Sequence, residues 1–119
     1  MGYRSDVCMR IEFENAEQLL KAMQKLVEFE MEADKQAIVK GWNGCDVMIV
    51  QWLSVKWYDD FYSDVKEIME WFKGLENDCK GAHYMRIGED YTDLEEIVIG
   101  EPYDYISLNR SFDIPNSLE

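Results

Sequence analysis

The sequence predicts an α+β fold in which two helices pack on one face of a mixed or antiparallel sheet of about five to six strands. Short segments with apolar residues at every second position predict strands, and two longer segments with a 3.6-residue apolar period predict helices. Their order is β-α-β-β-α-β-β-β. The 119 residues suffice for one core, so we expect a single domain over residues 1–115 and a frayed tail over 116–119.

The first strand and the first helix have clear local signals. Apolar side chains alternate with polar ones from residue 6 to residue 13, which predicts a half-buried strand. Asn15 is the predicted N-cap of the helix, since Gln18 follows at the spacing of a capping box. The helix itself is expected from residue 16 to about residue 31.

The second and third strands form a predicted hairpin. Asn43 and Gly44 separate two β-rich runs, residues 37–42 and 45–53. An Asn-Gly pair in this position favours a two-residue hairpin turn. The consecutive apolar residues 47–50 in the second run indicate a strand that is central or covered on both faces.

The second helix is predicted from Tyr58 or Asp59 to residue 73. Its apolar residues recur at helical spacing and form one continuous face. We expect four of them to be buried against strand residues that include Ile49. These four residues are Phe61, Ile68, Met69 and Phe72.

The last third of the chain is predicted to be β structure. Strands are expected at residues 82–87, 95–100 and 103–114, with glycine-containing turns between them. Polar residues occupy alternate positions of these strands and of the first strand. This pattern predicts that the face of the sheet opposite the helices meets water or a partner.

Composition limits the classes of partner and the compartment. The chain has 25 acidic and 12 basic residues and a net charge of −13, which disfavours direct binding to nucleic acid or to an anionic membrane. Three widely spaced cysteines without a C-x-x-C motif favour a reducing compartment. No signal-peptide pattern and no long apolar run are seen, so a cytoplasmic protein is expected.

The negative charge is concentrated late in the chain. Seven acids and no base lie between residues 88 and 109, and we expect them to be solvated and to project one negative field. Trp57 and Tyr58 either belong to the helix–sheet core or, where they are exposed, are candidate aromatic anchors beside these acids. The acidic candidates for partner binding are Glu89, Asp90, Asp93, Glu95, Glu96, Glu101 and Asp104.

Candidate catalytic and ligand-binding residues are few. His83 is the single histidine, and a small enzyme would have to use it with a carboxylate. No phosphate-binding motif and no clustered metal ligands occur, so we predict no cofactor and no metal. Arg86 and Arg110 have two interpretations. They form structural salt bridges, with Glu89 or Asp93 as the candidate partner, or together they form an anion site.

Three segments carry a resemblance to a known group. The opening Met-Gly-Tyr-Arg-Ser-Asp-Val, the run of residues 56–59 followed by 64–66, and the run 86–90 with 93–95 resemble small proteins encoded by phages and prophages. The resemblance implies an accessory protein that acts inside an infected bacterium. It carries no activity with it.

These observations favour a binding protein over an enzyme. The hypothesis is an acidic phage-type accessory protein that docks on a basic surface of a host nucleic-acid-handling or defence protein, as an inhibitor and partial DNA mimic. The alternatives are a small-molecule-binding or structural homo-oligomer and a small enzyme that uses His83.

Overall fold

A computed structural model describes residues 4–29, 33–42, 45–58, 63–90, 92–108 and 112–113. The two helices are α1 (Ala16–Glu28) and α2 (Ser63–Lys73), and a 3-10 helix follows at Gly74–Asn77. The strands of the main sheet are β1 (Ser5–Phe13), β2 (Asp34–Trp42), β3 (Cys45–Val55), β4 (Gly81–Gly88) and β5 (Leu94–Gly100). The sheet has the order β2-β3-β1-β4-β5 and every pair in it is antiparallel. The predicted α+β class is confirmed.

The start of α1 is held by side chains, as predicted. The Asn15 carboxamide oxygen accepts the backbone N–H of Gln18 at 2.9 Å. The Gln18 side chain in turn accepts the N–H of Glu14 at 2.8 Å. One backbone donor of the first helical turn is therefore bonded, and the Gln18 side chain also holds the residue before the N-cap. The helix ends at Glu28, earlier than expected, because Phe29 is extended and its ring is buried.

The core between the helices and the sheet confirms most of the predicted phase of α2. Ile68, Met69 and Phe72 are buried, and the Phe72 ring lies 5.8 Å from that of Tyr84. Phe61 lies outside the described residues. Ile49 was expected in this core, but it packs on the opposite face. The prediction was wrong by one position, since adjacent residues of a strand point to opposite faces.

The face of the sheet opposite the helices is covered at β1 and β4, where the prediction that it meets water or a partner is wrong, while β5 residues Leu94 and Val98 on this face are exposed. Cys8, Arg10 and Glu12, on the polar positions of β1, are fully buried. Residues 101–106, which we call the strap, lie over this face, and Ile106 packs with Cys8 and Met85. A second, small core therefore lies beneath the strap.

The strap also replaces most of the strand expected at residues 103–114. Residues 101–106 join no strand, and only β6 (Ser107–Leu108) and β7 (Phe112–Asp113) pair, as a separate two-stranded sheet. The backbone of the strap bonds to buried side chains of β1 and β4 instead of to a strand. Residues 109–111 and 114–119, including Arg110 and the predicted tail, lie outside the described residues.

Candidate functional site

A buried ion pair holds the strap on the sheet. The Glu12 carboxylate accepts the backbone N–H groups of Tyr103 at 2.8 Å and Asp104 at 3.1 Å. It also pairs with the Arg10 guanidinium, which donates to the Asp104 carbonyl at 3.0 Å. Both side chains are fully buried. The pair thus joins β1 to a segment about ninety residues further along the chain.

Arg10 relies on few partners for a buried charge. Within the described part of the chain, its Nε and Nη2 atoms have no hydrogen-bond acceptor. Charge compensation therefore comes from Glu12, supported by one carbonyl. Sequence reasoning missed both residues. The available signal was two opposite charges two positions apart in β1, which places them on one face of the strand.

His83 lies between the strap and β5, with both ring nitrogens engaged. Its Nδ1 accepts the backbone N–H of Ile106 at 2.9 Å, and Nε2 lies 2.5 Å from a Glu96 oxygen. A nitrogen that accepts a backbone N–H carries no proton, so the second nitrogen carries it and donates to Glu96. The Tyr105 ring packs edge-on at 5.2 Å. Since only 1% of His83 is exposed, a substrate cannot reach it while the strap is in place.

Arg86 is paired with carboxylates. Its guanidinium donates to both oxygens of Asp93, at 2.9 and 3.1 Å, and to Glu95 at 3.2 Å. The hydrogen bond to Asp93 is the main cause that raises the Arg86 pKa above its usual range. The predicted Asp93 partner is confirmed. Glu89, the other predicted partner, instead accepts the backbone N–H of Arg4 at 2.5 Å.

Two anions beside one guanidinium leave little positive charge for a bound anion. This pairing favours the structural interpretation of Arg86 over the anion site. Arg110, the second member of that predicted site, lies outside the described residues.

The seven acids between residues 88 and 109, which we call the late segment, lie on β5, its flanking turns and the strap. All seven side chains are at least partly exposed. Three of them bond to a side chain of β4, because Asp93 and Glu95 bind Arg86 and Glu96 binds His83. The Asp90 carboxylate accepts two hydrogen bonds from Thr92, both at 2.9 Å, and so shapes the turn before β5. The expectation of seven purely solvated acids is therefore too simple.

Glu95 has a second structural partner. One of its oxygens accepts the Tyr84 hydroxyl at 2.9 Å. Burial, and next the charge of Glu95, raise the pKa of Tyr84 well above its usual range. Tyr84 is thus a neutral donor that orients Glu95 on the surface.

The two candidate aromatic anchors differ in position. Trp57 is only 8% exposed, and its ring centroid lies 5.1 Å from that of Trp52. Because the chain after β3 turns this ring into the core, Trp57 is not available as an exposed anchor. Tyr58 is partly exposed.

The described cysteines are buried thiols. Burial is the main cause that raises the pKa of Cys8 to about 12 and that of Cys79 to about 11, from an ordinary value of 9.0. A thiol with such a pKa is protonated at neutral pH and is a poor nucleophile. The side chain of Cys45 lies outside the described residues.

We expect these thiols to make the stability depend on pH. The folded chain keeps them neutral while the unfolded chain ionises them near pH 9, so their contribution is complete below that pH. It is lost as the pH rises through about 11 to 12. The urea midpoint should fall more between about pH 8 and about pH 10.5 in the natural chain than in a Cys8→Ala/Cys79→Ala variant. Equal falls would contradict the assignment.

Two further features are absent from the described ranges. No group of three or more His, Cys, Asp or Glu side chains there could hold a metal ion. No helix there is long and apolar enough to cross a membrane.

Comparison with protein-family models, with curated proteins and with solved structures finds no match to this chain.

Proposed function

We propose that this protein is an acidic binding protein of the phage-encoded accessory type. It docks on a basic surface of a host protein that handles nucleic acid or acts in defence, and it inhibits that protein as a partial DNA mimic. The observation that carries the proposal is the continuous segment from residue 88 to residue 108. This segment has seven acids and no base, and every one of these acids is at least partly exposed.

The size of the molecule fits partial mimicry. Its longest dimension is 43 Å, and duplex DNA of that length carries roughly 25 negative charges. A net charge of −13 is about half of that. A basic groove built for DNA would therefore attract this surface, although the protein does not reproduce a whole duplex.

The partner can be sought by capture from a bacterial lysate at low and at high salt. We expect a basic, nucleic-acid-binding protein that is retained at low salt and released at high salt, because exposed ion pairs are screened. Adding DNA as a competitor then tests whether the acidic protein occupies the DNA-binding surface of the captured partner. DNA that fails to displace the captured protein would contradict mimicry.

Matched charge variants distinguish a specific acidic surface from net charge alone. Glu95→Gln/Glu96→Gln removes two charges from β5, and Glu67→Gln/Glu70→Gln removes two from the exposed side of α2. Glutamine keeps an oxygen that can accept the bonds of Tyr84 and His83. We expect the β5 variant to associate with the captured partner about three- to tenfold more slowly at low salt, and the α2 variant to change less.

The salt dependence provides the control. At high salt the natural chain and both variants should associate at similar rates, since the field is screened. Identical rates for the natural chain and the β5 variant at every salt concentration would mean that these acids serve solubility, and the proposed function would fail.

A further inference from the structure

We infer that the outer edge of β5 receives an extended segment of the partner as an additional strand, with two adjacent basic residues opposite Glu95 and Glu96. This inference rests on the proposed function and specifies how the acidic surface binds. It is carried by three features of β5 in the described part of the chain: backbone groups without a strand partner, exposed apolar side chains, and two carboxylates that each have one oxygen without a hydrogen-bond partner.

Among the residues that the structure describes, the backbone of β5 is open on one side. β5 is the last strand of the sheet, and in the described part of the chain it pairs only with β4. Gly88 donates to the Asp93 carbonyl at 2.9 Å and Glu101 donates to that of Lys80 at 3.4 Å. In an antiparallel pair, bonded and non-bonded residues alternate. Residues 95, 97 and 99 therefore bond to β4, and 94, 96 and 98 direct their N–H and C=O groups outward.

The side chains of this edge suit a partner strand. Leu94 and Val98 are each 47% exposed, and they flank Glu96 on the face that holds the strap. On the helix face, Glu95 is followed by the partly buried Ile97. An added strand would cover apolar surface on the strap face and meet one carboxylate on each face.

The two carboxylates are held in place and retain binding capacity. One oxygen of Glu95 accepts Tyr84 and Arg86, and one oxygen of Glu96 bonds to His83. Within the described residues, the second oxygen of each has no hydrogen-bond partner, and the side chains are 51% and 49% exposed. Each carboxylate can thus accept a further donor without leaving its present one.

Charge selects the occupant. A second copy of the chain paired on β5 would bring the glutamates of both copies together, and like charges across a strand pair are unfavourable. Each copy also carries a net charge of −13. A segment with two adjacent arginines or lysines between β-branched residues fits all three features. Its backbone bonds to the edge, its β-branched side chains cover the apolar side chains, and its two cations pair with the carboxylates.

The probe is the capped peptide Thr-Val-Thr-Val-Arg-Arg-Val-Thr, whose arginines lie opposite Glu96 and Glu95 when it pairs antiparallel to β5. The control peptide has the same sequence and carries N-methyl groups on its third and fifth residues, which lie opposite Val98 and Glu96. Binding to the full chain is measured by titration with NMR detection. We expect the control to bind at least tenfold more weakly, because it loses two hydrogen bonds to the edge.

Variants of the protein complete the test. Val98→Pro removes an outward N–H group and leaves the ladder with β4, so it should weaken the unmodified peptide about tenfold. Glu95→Gln/Glu96→Gln should weaken it severalfold and reduce its salt dependence. Because the modified peptide leaves the protein unchanged, a misfolded variant cannot decide the result.

Some outcomes overturn the inference. Equal binding of both peptides, or binding of neither, would show that β5 does not add a strand. If the Val98→Pro chain still captured a basic partner with unchanged salt dependence, this inference would fail while the proposed function stood. If no basic partner were captured at any salt concentration, the proposed function itself would fail.

Discussion

Replacement of Glu12 by methionine should lower the free energy of unfolding by about 3–5 kcal/mol. The change leaves the buried Arg10 guanidinium without its counter-ion and removes the acceptor of the Tyr103 and Asp104 N–H groups. For a domain of this size that loss is a large part of the total stability. Urea unfolding at neutral pH measures it directly, provided that the slope with denaturant is unchanged.

The double variant is the decisive control for this prediction. Arg10→Met alone should be destabilising, because it leaves the Glu12 carboxylate buried without its cation. In the background of Glu12→Met the same substitution should be stabilising, because it removes an uncompensated charge. Additive losses, with a coupling energy below about 0.5 kcal/mol, would show that the two side chains do not act as a buried pair.

Gly81→Ala should destabilise the fold by about 3 kcal/mol by pushing the strap off the sheet. A Cβ atom on Gly81 would lie 2.3 Å from the Pro102 nitrogen and 2.7 Å from the Glu101 carbonyl carbon. Both are backbone atoms, so rotation of a side chain cannot relieve the contact. The displacement would weaken the bonds between Glu12 and the strap that follow directly in the chain.

Gly74→Ala is the matched control for this substitution. A Cβ atom there would meet no heavy atom within 4 Å, so the stability should be unchanged or slightly increased, by up to about 1 kcal/mol. Amide exchange provides a second readout, since Gly81→Ala should speed exchange at Tyr103, Asp104 and Ile106. Equal stabilities and equal exchange in the two variants would contradict the contact between Gly81 and the strap.

Local signals predicted much of the fold. The alternation in β1, the Asn15 cap and the apolar face of α2 depend on neighbours within a few residues, so the sequence pattern is sufficient for them. The pairing of Asp93 with Arg86 was also predictable, because the two residues lie seven positions apart across the turn between β4 and β5. The error at Ile49 shows how one step along a strand reverses the face.

The strap was not predictable from the same signals. Its bonds join Glu12 to Tyr103 and Asp104 across more than ninety residues, and no periodic pattern encodes such a contact. Arg10 and Glu12 occupy polar positions of β1, which normally indicate a solvated face. Here both residues are buried, and they are polar because they bond to the backbone of the strap. The usual inference from a polar position to a solvated face therefore fails for them.

The sequence predicted which acids form the candidate site, but it predicted their positions in the fold only in part. The acids of the late segment are on the surface, as expected, and their position on an edge strand could not be derived from charge alone. Trp57 had two predicted interpretations, core residue or exposed anchor, and it is buried, since an aromatic residue at the end of a strand fits a core as well as an interface.

Amide hydrogen exchange of β5, with and without the captured partner, tests the central claim most directly. In the free chain the amides of residues 95, 97 and 99 should be protected by β4, while those of Leu94, Glu96 and Val98 should exchange rapidly. In the complex these three amides should be protected as well, so that the alternation along β5 disappears. An unchanged alternation in a fully formed complex would contradict the claim that this acidic edge binds the partner.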